Sequence, residues 1–348
     1  MTPVAPLDLV PAALQGNRRA LARLLTAVED RADGADDALA ALFPHTGRAW
    51  RIGITGAPGT GKSTLVTALA RHYRSEGCTV GILAVDPTSP FTGGAILGDR
   101  IRMRDLAGDP GVFIRSMAAR GSLGGLSAAT SDLARVLDAC GCAIILVETV
   151  GAGQNEVAIA AMAHTAVVVE APGLGDEVQA IKAGILEIAD VLAVNKADQP
   201  GARHAVRALR TLIETGHPAA RAGLVAHHGR LMAAPAAETF SGPLWVPPIV
   251  ETVAVTGLGV AELAAAIERH RQHLDGAGEL AAIECQQITL ELLDRVRDTL
   301  TARLLGQLPD DAVNQAAALV QARETDPSTA VEKLIAAAGW PIAEGMQS

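Results

Sequence analysis

Short apolar stretches alternate with longer segments of helical periodicity through most of this 348-residue chain. Stretches that are almost wholly apolar and precede a turn and a helical pattern are typical of parallel strands covered by helices on both faces. The predicted strands are 51–55, 80–85, 112–115, 143–148, 165–170, 190–195 and 249–254. The pattern predicts an α/β fold with a mostly parallel sheet, in which ligands bind beyond the carboxyl ends of the strands.

The two ends of the chain lack this alternation and have helical patterns. Leucines at helical spacing predict an N-terminal helical extension over 1–46. Near the other end, a helix over 259–274 precedes a Gly-containing joint, a long amphipathic helix over 279–306 and a helical tail over 308–348. Four prolines interrupt 215–247, which we interpret as a surface insertion. The predicted domains are 1–46, 47–275 with this insertion, and 276–348.

Composition and charge limit the classes of partner that the chain is expected to bind. Half of the residues are apolar, so a sizeable core can form, and the 29 basic and 38 acidic residues give a net charge of −9. An acidic chain is a poor candidate for binding nucleic acid or an anionic membrane through a broad basic face. The N-terminus lacks the order of charged and apolar residues found in a signal peptide, and no apolar run is long enough to span a bilayer. We therefore expect a cytoplasmic protein.

The four cysteines are too few and too scattered for a disulfide framework. Cys140-Gly141-Cys142 could in principle bind a metal ion, but no C-x-x-C motif or histidine pair accompanies it. We interpret these residues as small buried thiols.

The sequence from Gly56 to Ser63 is a complete G-x-x-x-x-G-K-[ST] phosphate-binding loop between a predicted strand and a predicted helix. The glycines allow the backbone to approach an anion closely, and the helix N-terminus directs N–H groups at it. Lys62 can reach the β- and γ-phosphates, and the Ser63 hydroxyl can bind Mg²⁺. The predicted phosphate-binding residues are Gly56, Ala57, Pro58, Gly59, Thr60, Gly61, Lys62, Ser63 and Thr64.

Asn195-Lys196-Ala197-Asp198 ends another predicted strand and matches N-K-x-D. The Asp198 carboxylate can accept from guanine N1–H and from the exocyclic amine, a donor pair that adenine lacks. Asn195 can donate to the base and link this loop to the phosphate loop, while the Lys196 stem can cover the base. The motif predicts guanine specificity.

Glu148 ends the strand 143–148, where GTP-binding folds usually place Asp-x-x-Gly, and Gly151 follows. The acid can hold Mg²⁺ directly or through water, and the Gly151 N–H can detect the γ-phosphate. Ala152 stands where Ras-like enzymes carry a glutamine that orients water. We therefore expect slow hydrolysis unless a partner or another loop completes the site.

Two more acids lie in predicted loops near the phosphate site. Asp86 ends the strand 80–85, and Asp99 follows a Gly-rich stretch. They suggest a magnesium shell and water orientation, which we favour over the alternative of a turn before Pro87 and a helix N-cap. Arg115, Arg120 and the run 121–126 suggest either a mobile lid or an ordinary loop.

Taken together, these residues resemble the methylmalonyl-CoA mutase-associated GTPases, the MeaB/ArgK family, over roughly residues 10 to 305. Those proteins are P-loop GTPases related to metallochaperone GTPases, and they chaperone an adenosylcobalamin-dependent mutase. The stretches that carry the resemblance are 56–64, 85–87, 92–103, 113–115, 121–125, 148–154, 172–173 and 195–198.

The resemblance implies roles for particular residues. The residues that resemble the family's Mg²⁺ shell are Ser63, Asp86, Asp99 and Glu148. Those that resemble its guanine site are Asn195, Lys196 and Asp198, with Val253, Ala254 and Val255 as backbone contacts to the base. Those that resemble a switch loop that signals to the mutase are Asp176, Gln179, Lys182 and Glu187. The helix over 279–306 resembles the family's dimerisation arm. Three features depart from the family: Asn155, the pair Ala254-Val255, and the insertion.

The expected function is therefore a cytoplasmic, dimeric, Mg²⁺-dependent GTP hydrolase that gates cofactor loading on a mutase and protects or reactivates that mutase. We expect no cobalamin site in the chain itself. The residues assigned to catalysis are Lys62, Asp86, Asp99, Glu148 and Lys182. Three alternatives remain: a nickel-delivery GTPase, a small-molecule kinase that uses ATP, and a binding module without hydrolysis. The scattered histidines argue against nickel delivery. The sequence does not identify which acyl-CoA mutase is the client.

Overall fold

The computed structural model describes residues 4–86, 106, 108–118, 123–149, 161–173, 188–215 and 245–340. The chain forms two compact units, residues 1–287 and residues 288–348. The predicted insertion lies almost wholly outside the described residues, as do the last residues of the tail.

The first unit contains a seven-stranded sheet in the order β3-β2-β4-β1-β5-β6-β7, and every neighbouring pair of strands is parallel. This confirms the predicted α/β fold. The last strand is shorter than predicted because the chain turns after it, and Val253 N–H donates to Leu258 C=O across that turn. The strands are β1 Trp50–Thr55, β2 Val80–Asp86, β3 Val112–Ala118, β4 Ile144–Thr149, β5 Thr165–Glu170, β6 Val191–Val194 and β7 Ile249–Glu251.

The helices follow the predicted alternation, with three of them in the N-terminal extension. Asn17 caps the second helix, since its side chain accepts from the N–H groups of Arg19 and Ala20. The described helices are α1 Pro6–Leu14, α2 Arg18–Glu29, α3 Ala35–Leu42, α4 Lys62–Ser75, α5 Leu123–Ala139, α6 Ala202–Thr215, α7 Val260–Ala277, α8 Glu279–Gln307, α9 Ala312–Gln321 and α10 Pro327–Ala337.

Each face of the sheet has its own apolar core. Helices α1, α2, α3 and α5 pack on one face through residues such as Leu24, Leu42 and Leu133, which are fully buried. Helices α4 and α7 pack on the opposite face through residues such as Leu65 and Leu263. Because both faces are covered, the central strands are apolar on both sides, which explains why they are continuous apolar runs in the sequence.

Arginine side chains attach the N-terminal helices to the edge strand β3. Arg18 donates to the carbonyl oxygens of Pro110, at 2.6 Å, and Val112, at 2.7 Å. Arg115 forms an ion pair with Glu29 on α2. The interpretation of Arg115 as part of a lid is therefore wrong: its guanidinium holds a helix against the sheet. Residues 123–126 begin α5 rather than a loop, and Arg120 lies outside the described residues.

At the amino ends of the strands, buried polar side chains form a chain of hydrogen bonds. Trp50 Nε1–H donates to Thr165 Oγ1 at 3.0 Å, and that hydroxyl lies 3.0 Å from His270 Nδ1. On its other side, His270 Nε2 lies 3.5 Å from Asp190 Oδ1. The indole of Trp245 donates to the carbonyl oxygen of Asp190 and contacts the His270 ring. We name this set, from Trp50 to Asp190, the amino-edge chain.

His164 is buried beside the amino-edge chain, with its ring centroid 4.6 Å from that of Trp50. Its Nδ1 accepts from Arg51 N–H, and its Nε2 lies 3.5 Å from Glu284. Burial and the positive charges of Arg51 and Arg271 lower the pKa of His164 to about 3. The imidazole is therefore neutral at physiological pH.

The cysteines in the C-x-C motif have properties of structural thiols. Cys142 is buried and Cys140 is half-buried, and burial raises their pKa values to about 12 and about 11. Both thiols are therefore protonated and unreactive at neutral pH.

The second unit continues α8 and adds α9 and α10. Asp326 caps α10 by accepting from the N–H groups of Ser328 and Thr329, and Trp340 Nε1–H donates to Gln307 Oε1 at 2.7 Å. Across the described parts of both units, none of the helices is both long enough and apolar enough to cross a membrane.

Candidate functional site

The phosphate-binding motif lies at the carboxyl end of β1 and packs closely against β5. Gly56 has a φ of 136°, and a Cβ atom at this position would lie 2.1 Å from the carbonyl oxygen of Val169. Only glycine is compatible with both the conformation and the contact. The loop is therefore placed by the pairing of two central strands.

Lys62 begins α4 and is buried beneath the loop. Its Nζ donates to the carbonyl oxygens of Gly56, at 2.6 Å, and Ala57, at 3.0 Å. The first N–H groups of α4 have no partners within the helix, so they and the helix dipole form an electropositive end at this point. The ammonium and the helix end together can hold a polyphosphate.

Asn195 joins the phosphate loop to the predicted guanine loop. Its Nδ2 donates to the carbonyl oxygen of Thr60 at 2.9 Å, and its Oδ1 accepts from Ala254 N–H at 3.1 Å. Glycine is required at Gly61 as well, because a Cβ atom there would lie 2.4 Å from Asn195 Nδ2. The predicted link between the two loops is present as a direct hydrogen bond.

The other residues of the guanine loop surround this junction. Lys196 has a φ of 57° and its Nζ donates to the carbonyl oxygen of Gly59 at 2.7 Å. Asp198 is exposed, whereas Val253 and Ala254 are buried and Val255 is 84% exposed. An exposed carboxylate three residues beyond a buried asparagine can meet the edge of a base.

Thr252 also belongs to this junction, although its sequence context did not predict it, and it is fully buried between β7 and the guanine loop. Its hydroxyl donates to Asn195 Oδ1 at 3.2 Å, and its carbonyl oxygen accepts from Ala197 N–H. A hydroxyl at the end of an apolar strand was the available signal. Thr252 fixes the Asn195 amide so that its Nδ2 faces the phosphate loop.

Ser63 and Glu148 form the candidate magnesium site. Ser63 Oγ donates to Glu148 Oε1 at 2.5 Å, and Glu148 is 1% exposed. The Ser63 hydroxyl at the start of α4 and the Glu148 carboxylate on β4 are hard oxygen donors of the kind that Mg²⁺ prefers, so these residues fit the ion. Asp86 ends β2, the strand that pairs with β4 next to Glu148.

Several predicted site residues lie outside the ranges that the structure describes. Asp99, Gly151 and Lys182 lie outside the described residues, as do Asp176, Gln179 and Glu187. Within the described ranges, no group of three or more His, Cys, Asp or Glu side chains could hold a metal ion.

A family model, related sequences and a solved structure all resemble most of this chain. The family model described as methylmalonyl Co-A mutase-associated GTPase MeaB matches residues 21–308. A Pyrococcus horikoshii protein whose name reads "putative GTPase" is 44% identical over 331 residues, which cover 95% of this chain and 98% of that protein. A Mycobacterium bovis protein named a probable GTPase is 39% identical over 94% of this chain and 93% of its own length. The solved structure of an LAO/AO transport system kinase superimposes with a TM-score of 0.66 at 25% identity, covering 94% of this chain and 96% of that one.

Proposed function

The chain belongs to the methylmalonyl-CoA mutase-associated GTPase family, MeaB, and hydrolyses GTP; on that premise we propose that it is a chaperone of an adenosylcobalamin-dependent acyl-CoA mutase. In this proposal the GTP and GDP states bind the mutase differently, and this difference gates cofactor loading in the cytoplasm. The observation that supports the nucleotide site best is the Asn195 junction, a hydrogen-bonded link between the predicted guanine loop and the predicted phosphate loop.

Each group in the site has a separate task in hydrolysis. Lys62 and the N-terminus of α4 neutralise charge on the phosphates, since both lie where the loop closes. Ser63 and Glu148, with Asp86 and Asp99, hold Mg²⁺, which supplies further charge neutralisation when it is bound. Asp198 selects guanine, and Lys182 belongs to the switch loop that relays the nucleotide state to the mutase.

Base selection gives the direct test of the nucleotide site. Asp198→Asn replaces an acceptor of two N–H groups by an amide, so we expect GTP affinity to fall by about 10²-fold or more. Xanthosine triphosphate carries an oxygen in place of the exocyclic amine, and its affinity should rise in the same variant. Calorimetry measures both, with Asp37→Asn on α3 as an exposed control. Unchanged base preference would contradict the assignment.

The mutase role needs a separate experiment. Immobilised protein loaded with a non-hydrolysable GTP analogue or with GDP is offered a purified adenosylcobalamin-dependent acyl-CoA mutase. We expect retention to differ at least several-fold between the two states, and the difference to disappear in Asp198→Asn. Equal retention, or none, would contradict the proposal, and stoichiometric Ni²⁺ binding in equilibrium dialysis would favour nickel delivery instead.

We further propose that the chain is a homodimer formed through the second unit. Ile288, Leu292, Val296 and Leu300 follow one another at four-residue spacing on α8 and are between 43% and 58% exposed. Such a row is typical of a helix that packs against another copy. Light scattering should show a dimer that Leu292→Glu converts to a monomer, whereas Leu212→Glu on α6 does not. A wild-type monomer would contradict this proposal.

A further inference from the structure

Ser116, on β3, carries a buried hydroxyl that the site described above does not use. Its Oγ is shielded from solvent and has no hydrogen-bond partner among the described residues. Other buried hydroxyls near the site do have partners: Ser63 donates to Glu148 and Thr252 donates to Asn195. Since buried polar groups are nearly always paired in native proteins, an unpaired hydroxyl indicates a partner that arrives in another state.

The alternation of side chains along β3 places Ser116 on the magnesium face of the sheet. Phe113 and Met117 pack with α2 and α5, whereas Val112 and Ile114 pack on the side of α4. Ser116 therefore lies on the α4 side, the side from which Ser63 reaches Glu148.

The strand register places Ser116 in one row with the candidate magnesium ligand. Ser116 is opposite Ala84 on β2, and Ala84 is opposite Glu148 on β4. Position 86 is two residues beyond Ala84, on the same face of β2 and diagonal to Ser116. Adjacent strands lie about 4.8 Å apart and successive residues on one face of a parallel strand about 6.6 Å apart, so short polar side chains at diagonal positions can meet directly or through one water.

We propose that Ser116 is a positioning residue of the magnesium site, whose hydroxyl hydrogen-bonds the Asp86 carboxylate when Mg²⁺ and nucleotide are bound. The inference rests on the proposed magnesium-dependent function. Carboxylates that bind metal ions are themselves held by hydrogen bonds, and the loss of such a partner typically weakens metal affinity by about 10–100-fold. Ala84, which stands between Ser116 and Glu148 in this row, has no polar side chain that could serve instead.

The test measures GDP release from the full chain as a function of free Mg²⁺, because bound Mg²⁺ slows nucleotide release. We expect Ser116→Ala to need about 10-fold more Mg²⁺ for half-maximal retention. Release in excess chelator and the melting temperature should stay at wild-type values. Ser131→Ala, which removes a buried hydroxyl from α5, is the matched control and should behave as wild type. An unchanged Mg²⁺ midpoint in Ser116→Ala would overturn the inference.

A double-mutant cycle tests the partner. In an Asp86→Asn background, Ser116→Ala should cause no further shift, and Ser116→Thr, which keeps a hydroxyl, should retain the wild-type midpoint. Equal shifts with and without Asp86 would overturn the assignment to that carboxylate. If GDP release from the wild-type protein did not depend on Mg²⁺, the proposed function itself would fail. Failure of the Ser116 inference alone would instead give Mg²⁺-dependent release from the wild type and an unchanged Mg²⁺ midpoint in Ser116→Ala.

Discussion

The two edges of the sheet both contain buried polar side chains, but they use them differently. At the amino edge, the chain from Trp50 through Thr165 and His270 to Asp190 matches donors to acceptors within the protein. At the edge formed by the carboxyl ends of the strands, a helix N-terminus and a buried lysine meet at the phosphate loop, and Asn195 joins this loop to the one that carries the exposed Asp198. The first arrangement stabilises the fold, and the second supplies charges and N–H groups that a nucleotide can use.

This difference has a general lesson. Burial of polar groups does not by itself mark a site, because a network that satisfies itself needs no ligand. What distinguishes the carboxyl edge is the combination of a buried lysine, a helix N-terminus and a loop that has no room for a side chain at Gly56. Variants at the carboxyl edge should therefore alter nucleotide binding, and variants at the amino edge should alter stability alone.

The largest effect is expected at Gly56. Gly56→Ala forces a Cβ atom against the Val169 carbonyl oxygen in a strained conformation, so the free energy of unfolding should fall by about 3–5 kcal/mol and GTP binding should be lost. Gly47→Ala is the matched control: Gly47 also has a positive φ, but a Cβ atom there meets nothing within 4 Å. Urea denaturation would contradict this prediction if the two variants lost equal stability.

Asn195→Ala should affect both stability and nucleotide binding. The change removes the hydrogen bonds to Thr60 and Ala254 and should cost about 2–3 kcal/mol of unfolding free energy. Because the loops then lose their link, GTP affinity should fall by at least about 10-fold in calorimetry. Normal GTP affinity in a destabilised variant would show that the junction is only structural.

At the amino edge, His164 should make stability depend on pH. Its pKa is about 3 in the folded protein and about 6.5 in the unfolded chain, so the unfolded state binds a proton between these values. This contribution to stability is complete above pH 6.5 and falls as pH decreases, by about 2 kcal/mol at pH 5. Urea denaturation of His164→Gln should show a flatter pH profile, whereas the exposed His204→Gln should match wild type. Equal slopes would contradict the assignment.

The smallest effect is expected at Thr165. Thr165→Val leaves Trp50 Nε1 and His270 Nδ1 without their shared partner and should cost about 1–2 kcal/mol of unfolding free energy. Thr165→Ser keeps the hydroxyl and should cost less. GTP affinity should be unchanged in both variants. A changed affinity would contradict the expectation that the amino edge affects stability alone.

Much of the carboxyl edge could be predicted because local motifs encode it. The spacing of Gly56, Lys62 and Asn195 identifies the loops, and the apolar strands predict the parallel sheet. The amino-edge chain was not predicted, because Trp50, Thr165 and His270 are separated by more than 100 residues in the sequence and meet only through the fold. The ion pair of Arg115 with Glu29 was missed for the same reason.

The three tryptophans divide between the two units, and this gives each unit its own optical reporter. Trp50 and Trp245 belong to the first unit, whereas Trp340 contacts Gln307 in the second. Trp50 is 4% exposed and should emit at short wavelength, with its indole 5.0 Å from the guanidinium of Arg271. Variants that retain a single indole therefore allow the unfolding of each unit to be followed separately by intrinsic fluorescence.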